Sequence, residues 1–194
     1  MSRINDPEIE CIALNNRRIL YTDYINEHRR NVRAVWDMVV HTLNATPVLN
    51  SSQIKLISSL IEQHDDSKYR THEFEAYRQN FFPLQNECKD KMAFKYAWNH
   101  HQKANPHHWQ YWIMNKPQPG NKSYCVVLPM GKPYLIEMLC DWAAMSVKFG
   151  DLPSEFYAAK KDEMLLHQDT RNLVEKLLHF FDTAVQRIHK ERIK

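Results

Sequence analysis

A chain of 194 residues that is 43% hydrophobic and 11% aromatic can build a hydrophobic core, so its composition excludes a disordered protein. Its 26 basic residues nearly balance its 23 acidic ones, which argues against a nucleic-acid coat protein. The scarcity of glycine, with 3 in the chain, excludes phosphate-binding glycine loops such as G-x-x-x-x-G-K.

Apolar residues recur at helical spacing along most of the chain, so we expect an all-α fold. Thr46 and Pro47 end the first helix, and Ser51 with Ser52 is a good N-cap pair for the second. Prolines and glycines between residues 116 and 132 predict a loop with a short extended segment at 124–128. The predicted helices cover about 16–44, 51–63, 73–80, 87–103, 107–114, 133–149, 153–166 and 170–193.

We expect residues 1–194 to form one domain, with a core at about 16–150 and two extra C-terminal helices over 151–194. The apolar residues of those two helices either pack on the core or form a homodimer face. They are Leu165, Leu166, Leu173, Leu177, Leu178, Phe180 and Phe181.

The cysteines and the N-terminus indicate where the protein resides. Cys11, Cys88, Cys125 and Cys140 form no C-x-x-C pair, so we expect reduced thiols. The first ten residues are polar and lack the apolar segment of a signal peptide, and no apolar run approaches the roughly 18 residues that span a bilayer. We therefore predict a cytoplasmic protein without a membrane partner.

Several polar residues stand where core residues are expected. His28 shares a helix face with Tyr24, Ile25 and Val32, and His64–Asp65 closes an amphipathic helix. Asp141 lies in a nearly all-apolar helix, where a carboxylate is costly to bury unless it is paired or binds a metal. Each residue alone also fits a hydrogen-bonded core position. Together, imidazoles and carboxylates are the ligands expected for a first-row divalent metal.

In this order, His28, His64–Asp65 and Asp141 resemble the H…HD…D signature of the HD-domain superfamily. The resemblance covers about residues 21–150, and every member falls on or at the end of a predicted helix. It implies an HD-domain-like helical bundle in which His28, His64, Asp65 and Asp141 ligate a divalent ion, namely Mn, Co, Mg, Fe or Zn. The segment from His64 to Lys68 is similar to the HD-x-x-K form of many HD phosphohydrolases.

The wider pattern also resembles a small family of bacterial and phage proteins, so we expect a location in a bacterium or a phage-infected host. Its motifs are HDDSKY at 64–69, EFEAY at 73–77, NPHHW at 105–109 and EMLCDW at 137–142. That family supplies no activity to transfer, and the chemistry must come from the HD superfamily.

A cluster of four histidines follows the HD doublet, in the region where dinuclear HD proteins carry their second-metal histidines. His100–His101 and His107–His108 are separated by a turn at Asn105–Pro106. We expect His101 and His108 to ligate a second ion. The alternative is one ligand with three polar surface or packing histidines.

The resemblance also suggests which residues assist catalysis. Lys68, three residues after Asp65, is placed to stabilise charge on phosphoryl oxygens. Some HD nucleotidases carry a glutamate at this position, so the proton donor here is open between Asp66, Glu137 and a histidine.

Substrate-binding candidates lie beside the expected ligands. Arg29 and Arg33 follow His28 on its helix and could reach a phosphate, although surface ion pairs are their commoner fate. With Lys68 and His107 they form the expected phosphate-binding set. Trp109 is the aromatic candidate for stacking on a base, the alternative being a core position.

These expectations favour a metal-dependent phosphohydrolase or phosphodiesterase, whose substrate is a nucleotide or a related small phosphate ester. The partner is then a small phosphorylated molecule, with no strong nucleic-acid signal. Two alternatives stay open. One is an HD-fold di-iron oxygenase, which iron content and oxygen uptake would identify. The other is a non-catalytic nucleotide-binding or metal-binding module.

Overall fold

The computed structural model describes residues 7–46, 48–120 and 122–192 and is mostly helical within them, which confirms the all-α prediction. Pro47 and Ile193, which the predicted helix ends include, lie outside the described residues. The helices are α1 (Pro7–Asn44), α2 (Ser51–Glu62), α3 (Phe74–Phe81), α4 (Lys91–Ala104), α5 (Lys132–Phe149), α6 (Pro153–Lys160) and α7 (Gln168–Arg192). Short 3₁₀ turns cover Asp66–Tyr69 and Trp109–Trp112, and the strands are β1 (Ile113–Gln118) and β2 (Lys122–Val127).

The prediction of a helix at 107–114 was wrong, and the predicted loop from 116 begins within a strand. In place of a helix, a single 3₁₀ turn leads into β1, which pairs antiparallel with β2 in the register Lys116 opposite Tyr124. The segment predicted as extended at 124–128 lies largely within β2. In β1 every side chain after Ile113 is exposed, and the segment lacks the alternation of apolar and polar residues that indicates a strand.

Four helix boundaries differ from the prediction for reasons visible in the structure. α4 begins at Lys91 and not at 87, because Asp90 caps it by accepting hydrogen bonds from the backbone N–H groups of Met92 and Ala93. α1 begins at Pro7, with two acidic residues in its first turn that favour a helix N-terminus. The cap of α2 is Asn50, not Ser51, because Asn50 and Gln53 form a reciprocal capping box. α6 ends at Lys160, because Arg171 donates hydrogen bonds to the carbonyl groups of Lys161 and Met164 in the turn that follows.

The chain divides into two compact units. Within the described residues, the first comprises 7–27 and Asp65–Ala104, and the second comprises His28–His64 and 105–192. Each unit has its own cluster of buried apolar side chains. The organisation as one domain stays a prediction.

The second unit is built around α5, which packs against α2, α6 and α7. Leu135, Ile136 and Leu139 of α5 are fully buried, and burial of each side chain stabilises the fold by about 1.5–3 kcal/mol. The apolar face of α7 lies in the same core. The sequence left two alternatives for this face, packing on the core or forming a homodimer interface, and the structure shows the first. Leu165, in contrast, is exposed.

The first unit has a smaller, aromatic core. Tyr21 and Ile25 of α1 pack with Tyr77 of α3 and Ala97 of α4. The end of α3 is fixed by Arg78, whose guanidinium group forms two hydrogen bonds of 2.7 Å to the carboxylate of Glu87. These contacts position the helix that carries His100 and His101.

Candidate metal centre

Three residues of the predicted signature meet in the second unit. His28 comes from α1, His64 from the turn after α2, and Asp141 from α5. The Nε2 atom of His28 lies 3.0 Å from Oδ1 of Asp141 and 3.3 Å from Nε2 of His64. The Nε2 atom of His64 lies 3.9 Å from the same Asp141 oxygen. Because both histidines are buried, three donor atoms face one another away from solvent.

His107 belongs to the same group, although its predicted role was substrate binding. It is buried, and it offers a ring nitrogen within 4.8 Å of donor atoms of His64 and Asp141. Its ring centroid lies 4.4 Å from that of His64. The ring of His108 lies next to that of His107, with the centroids 4.3 Å apart. The sequence identified the histidine cluster but could not select His107 from it.

Glu137 holds two of these histidines in a fixed orientation. Its Oε1 atom accepts hydrogen bonds from Nδ1 of His64 at 3.0 Å and from Nδ1 of His107 at 3.1 Å. A proton on each Nδ1 leaves the Nε2 lone pair of a neutral imidazole for a ligand, as in carboxylate–histidine–metal arrangements. Burial opposes ionisation of Glu137, but the hydrogen bonds from His107 and His64 outweigh it and lower its pKa.

The donor set fits a divalent cation. Donor atoms that each lie about 2.1 Å from one ion are about 3.0–3.4 Å apart, and the Nε2–Oδ1 and Nε2–Nε2 distances of His28 match that range. Burial opposes ionisation of Asp141, yet the hydrogen bond from His28 and the nearby rings of His64 and His107 lower its pKa. A carboxylate among imidazole nitrogens is a site for Zn, Fe, Co or Mn.

Asp65 lies in the first unit, where it contacts His101. Its Oδ1 atom is 3.2 Å from Nε2 of His101, and its Oδ2 atom accepts a 2.5 Å hydrogen bond from Lys68. Asp65 and His101 are both buried. By position in the chain, His28, His64 and Asp141 of the predicted signature belong to the second unit and Asp65 to the first.

Glu73 is a site residue that the sequence analysis missed. It is fully buried, and its two oxygens accept hydrogen bonds from Nδ1 of His100 at 2.7 Å and Nδ1 of His101 at 2.8 Å. Ser67 donates a further bond at 3.1 Å. Because Glu73 lies in a turn before α3 and not on a helix face, hydrophobic spacing gave no sign that it is buried.

Two carboxylates flank His101 in the first unit. Burial by itself lowers the pKa of His101, but Asp65 and Glu73 outweigh this effect and raise it. The His101 ring lies between them, with Nδ1 hydrogen-bonded to Glu73 and Nε2 3.2 Å from Oδ1 of Asp65. Glu73 thus orients His101 through Nδ1, as Glu137 orients His64 and His107 in the second unit.

The comparisons with known proteins identify a family. The sequence profile of the "Family of unknown function (DUF5662)" matches residues 17–179. The chain belongs to this family. No curated protein and no solved structure matches it. The match includes every candidate ligand named above, so the DUF5662 region contains the whole site.

The remaining predicted site residues have contacts of other kinds. Arg29 donates a 2.6 Å hydrogen bond to the carbonyl oxygen of Glu62, and Arg33 pairs with the Glu62 carboxylate. Asp66 is exposed at the start of a 3₁₀ turn. Trp109 is partly buried against the core of the second unit, the alternative considered for it. The catalytic and substrate-binding roles of these residues stay predictions.

The backbone of Asp65 adopts a left-handed conformation that is unfavourable for a residue with a Cβ atom. Two substitutions at this position measure that strain. Among the described residues, Asp65 alone has a non-glycine side chain at positive φ, with a value of 59°. We expect Asp65→Gly to be more stable than Asp65→Ala by about 1 kcal/mol, because glycine removes the Cβ penalty while both variants lose the same carboxylate. Urea denaturation in chelator-treated buffer measures the difference.

The neighbouring Asp66 provides the matched control for this test. Its φ is not in the left-handed region, so Asp66→Ala should be at least as stable as Asp66→Gly. The same order of stability at both positions would contradict a strained backbone at Asp65.

Proposed function

We propose that this DUF5662 protein is a metal-dependent phosphohydrolase or phosphodiesterase that acts on a nucleotide or a related small phosphate ester. One observation carries the proposal: the buried side chains of His28, His64 and His107 meet the carboxylate of Asp141, which is 18% exposed, and two of these histidines are oriented by Glu137. The resemblance of the H…HD…D order to HD phosphohydrolases supports the reaction class.

Electrostatics support binding of a divalent cation by this group. With neutral imidazoles, the buried Glu137 and the largely buried Asp141 leave two negative charges close together, which is unfavourable without a compensating cation. A divalent ion neutralises both charges. The chemistry that such an ion supplies is acidification of a coordinated water and polarisation of a phosphoryl oxygen.

The first unit offers ligands for a second ion. Asp65 and His101 present an oxygen and a nitrogen 3.2 Å apart, with Glu73 holding the far side of the His101 ring. Lys68 places a cationic group beside Asp65, and in the proposal it binds a phosphoryl oxygen. The HD signature includes Asp65, so we include Asp65 among the proposed metal ligands.

The proposed location and the proposed substrate class are those predicted from the sequence. No helix in the described ranges combines the length and the apolar character needed to cross a bilayer. All four cysteines are free thiols, three of them exposed, which suits a reducing compartment. We therefore place the protein in the cytoplasm, with a small phosphorylated molecule as its substrate.

The experiment is metal analysis of the purified protein, followed by a nucleotide hydrolysis screen with Mn²⁺, Co²⁺ or Mg²⁺. The proposal expects one or two bound divalent ions per chain and phosphate release that a chelator abolishes. Oxygen uptake by an iron-loaded protein, with no phosphate release, would favour the di-iron oxygenase instead. Full metal content with no turnover would favour a binding module.

The orienting role of Glu137 gives a separate prediction. Glu137→Gln should lower divalent-metal affinity by about 10–100-fold, because the neutral amide holds the Nδ1 protons of His64 and His107 less strongly. Competition with a chromophoric chelator measures the affinity. Glu163→Gln, at an exposed surface position, is the control and should bind metal as the wild type does. Equal affinity in all three proteins would exclude an orienting role.

A further inference from the structure

Two histidines of the first unit lie next to each other on its surface. His72 is exposed in the turn before α3, and His100, on α4, has a side chain that is 43% exposed. The centroids of their rings are 5.3 Å apart. Both residues belong to the first unit, and neither is among the metal ligands proposed above. Neutral imidazoles that lie this close are able to share one divalent ion.

Glu73 fixes which ring nitrogen of His100 carries the proton. Burial raises the pKa of Glu73, but hydrogen bonds from His101 and His100 outweigh this effect and lower it, so Glu73 is a carboxylate that only accepts. Nδ1 of His100, 2.7 Å from Oε1 of Glu73, is therefore the donor. In a neutral imidazole this leaves the Nε2 lone pair for a ligand, on the side of the ring that faces away from Glu73.

The separation of the two rings matches that of two imidazoles on one tetrahedral ion. A metal–nitrogen bond of about 2.1 Å puts the centre of an imidazole ring about 3.2 Å from the ion, so two rings on a tetrahedral ion have centres about 5.2 Å apart. Ligands at right angles, as on an octahedral ion, give about 4.5 Å. The 5.3 Å between His72 and His100 agrees with the tetrahedral value. Zn²⁺ is the ion that takes this geometry with imidazole ligands.

The surface around His72 leaves room for the remaining ligands of such an ion. A cavity of about 430 Å³ opens beside His72 and is lined also by Thr71 and Tyr96. Tyr96 lies four residues before His100 on α4, so these two side chains are on the same side of that helix. The cavity therefore borders the histidine pair. Water molecules in it can complete the coordination of an ion that has two protein ligands.

We propose that His72 and His100 bind a Zn²⁺ ion at the surface of the first unit, with water completing its coordination. Glu73 links this surface site to the buried histidine of the same unit, because its Oε1 atom orients His100 and its Oε2 atom orients His101. The surface site uses none of the ligands proposed for the buried ions. It does not depend on the proposed function, since zinc binding and not turnover is its readout.

Zinc titration of the chelator-treated full chain, in competition with a chromophoric chelator, tests the surface site. His72→Gln and His100→Gln should each bind one of the wild type's Zn²⁺ equivalents about 100-fold more weakly, because a single imidazole cannot chelate. Both positions are exposed, so the variants should fold normally, and circular dichroism checks this. His179→Gln, at an exposed histidine of α7, is the control and should bind Zn²⁺ as the wild type does.

The double variant distinguishes one shared ion from two independent histidines. If His72 and His100 share the ion, the double variant should lose no more zinc affinity than either single variant, because removal of one ring already breaks the chelate. Zinc binding that is unchanged in the double variant, an effect of only one of the two substitutions, or losses that add would each overturn the proposal. Failure of the proposed function would instead appear as missing turnover, with this zinc equivalent still sensitive to both substitutions.

Discussion

Under the proposed function, Asp141→Asn should lose the bound divalent ion and at least about 1,000-fold of the hydrolytic rate. Asparagine keeps the size of the side chain but removes the negative charge that lies 3.0 Å from Nε2 of His28. If the ion supplies several kcal/mol of transition-state stabilisation, its loss corresponds to at least three powers of ten in rate. Metal content by mass spectrometry and phosphate release measure the two effects independently.

The control for this variant is Asp162→Asn, which removes the same charge from an exposed turn after α6. It should keep the metal content and the rate of the wild type. The fold of Asp141→Asn should persist, because the amide can still accept a hydrogen bond from His28. A folded Asp141→Asn that retains its full complement of metal would exclude Asp141 as a ligand.

Those parts of the fold that depend on local pattern could be predicted from the sequence. The spacing of apolar residues located the long helices, and Gly150 ended α5 where predicted, with its φ of 88°. Of the β1–β2 hairpin, only the extended segment at 124–128 was predicted; β1 was missed, because its hydrogen bonds come from β2 and its own residues carry no strand pattern. The end of α6 was missed for a similar reason, since Arg171 of α7 holds the turn after Lys160.

At the candidate site, too, the sequence predicted residues on regular helices and missed residues in turns. His28, His64 and Asp141 stood out as polar residues on or at the end of apolar helices, and the resemblance to the H…HD…D signature implied that they are ligands; the structure brings them together. His107 and Glu73 lie in turns, where the chain has no regular period that identifies a buried face. Their contacts depend on the path of the chain around them, which a spacing rule does not contain. Glu137 was identified as a site residue, but its bonds to two histidines required coordinates.

The strongest stability effect outside the metal group is expected at Glu87. Arg78 is buried, and its two hydrogen bonds of 2.7 Å to the Glu87 carboxylate lower the pKa of Glu87 to about 2, against the opposing effect of burial. Glu87→Gln leaves the buried guanidinium group without this charge. We expect the variant to lose about 3 kcal/mol of unfolding free energy at neutral pH, measured by urea denaturation.

Glu75, the exposed carboxylate that also contacts Arg78, provides the control for Glu87→Gln. Glu75 accepts a hydrogen bond of 3.0 Å from Nε of Arg78, but its side chain is 45% exposed, compared with 18% for Glu87. Glu75→Gln should therefore cost less than about 1 kcal/mol. Equal losses of unfolding free energy in Glu75→Gln and Glu87→Gln would mean that the bidentate Arg78–Glu87 pair stabilises the fold no more than the exposed pair does.

The pH dependence of the same pair has a defined sign. Because the pKa of Glu87 is lower in the folded protein than the ordinary 4.5, its contribution is complete above about pH 5 and is lost as the pH falls toward 2. The difference in unfolding free energy between the wild type and Glu87→Gln should therefore shrink from about 3 kcal/mol at neutral pH to less than half of that at about pH 3. A difference that stays constant over this range would show that the Arg78–Glu87 contact stabilises by packing and not by charge.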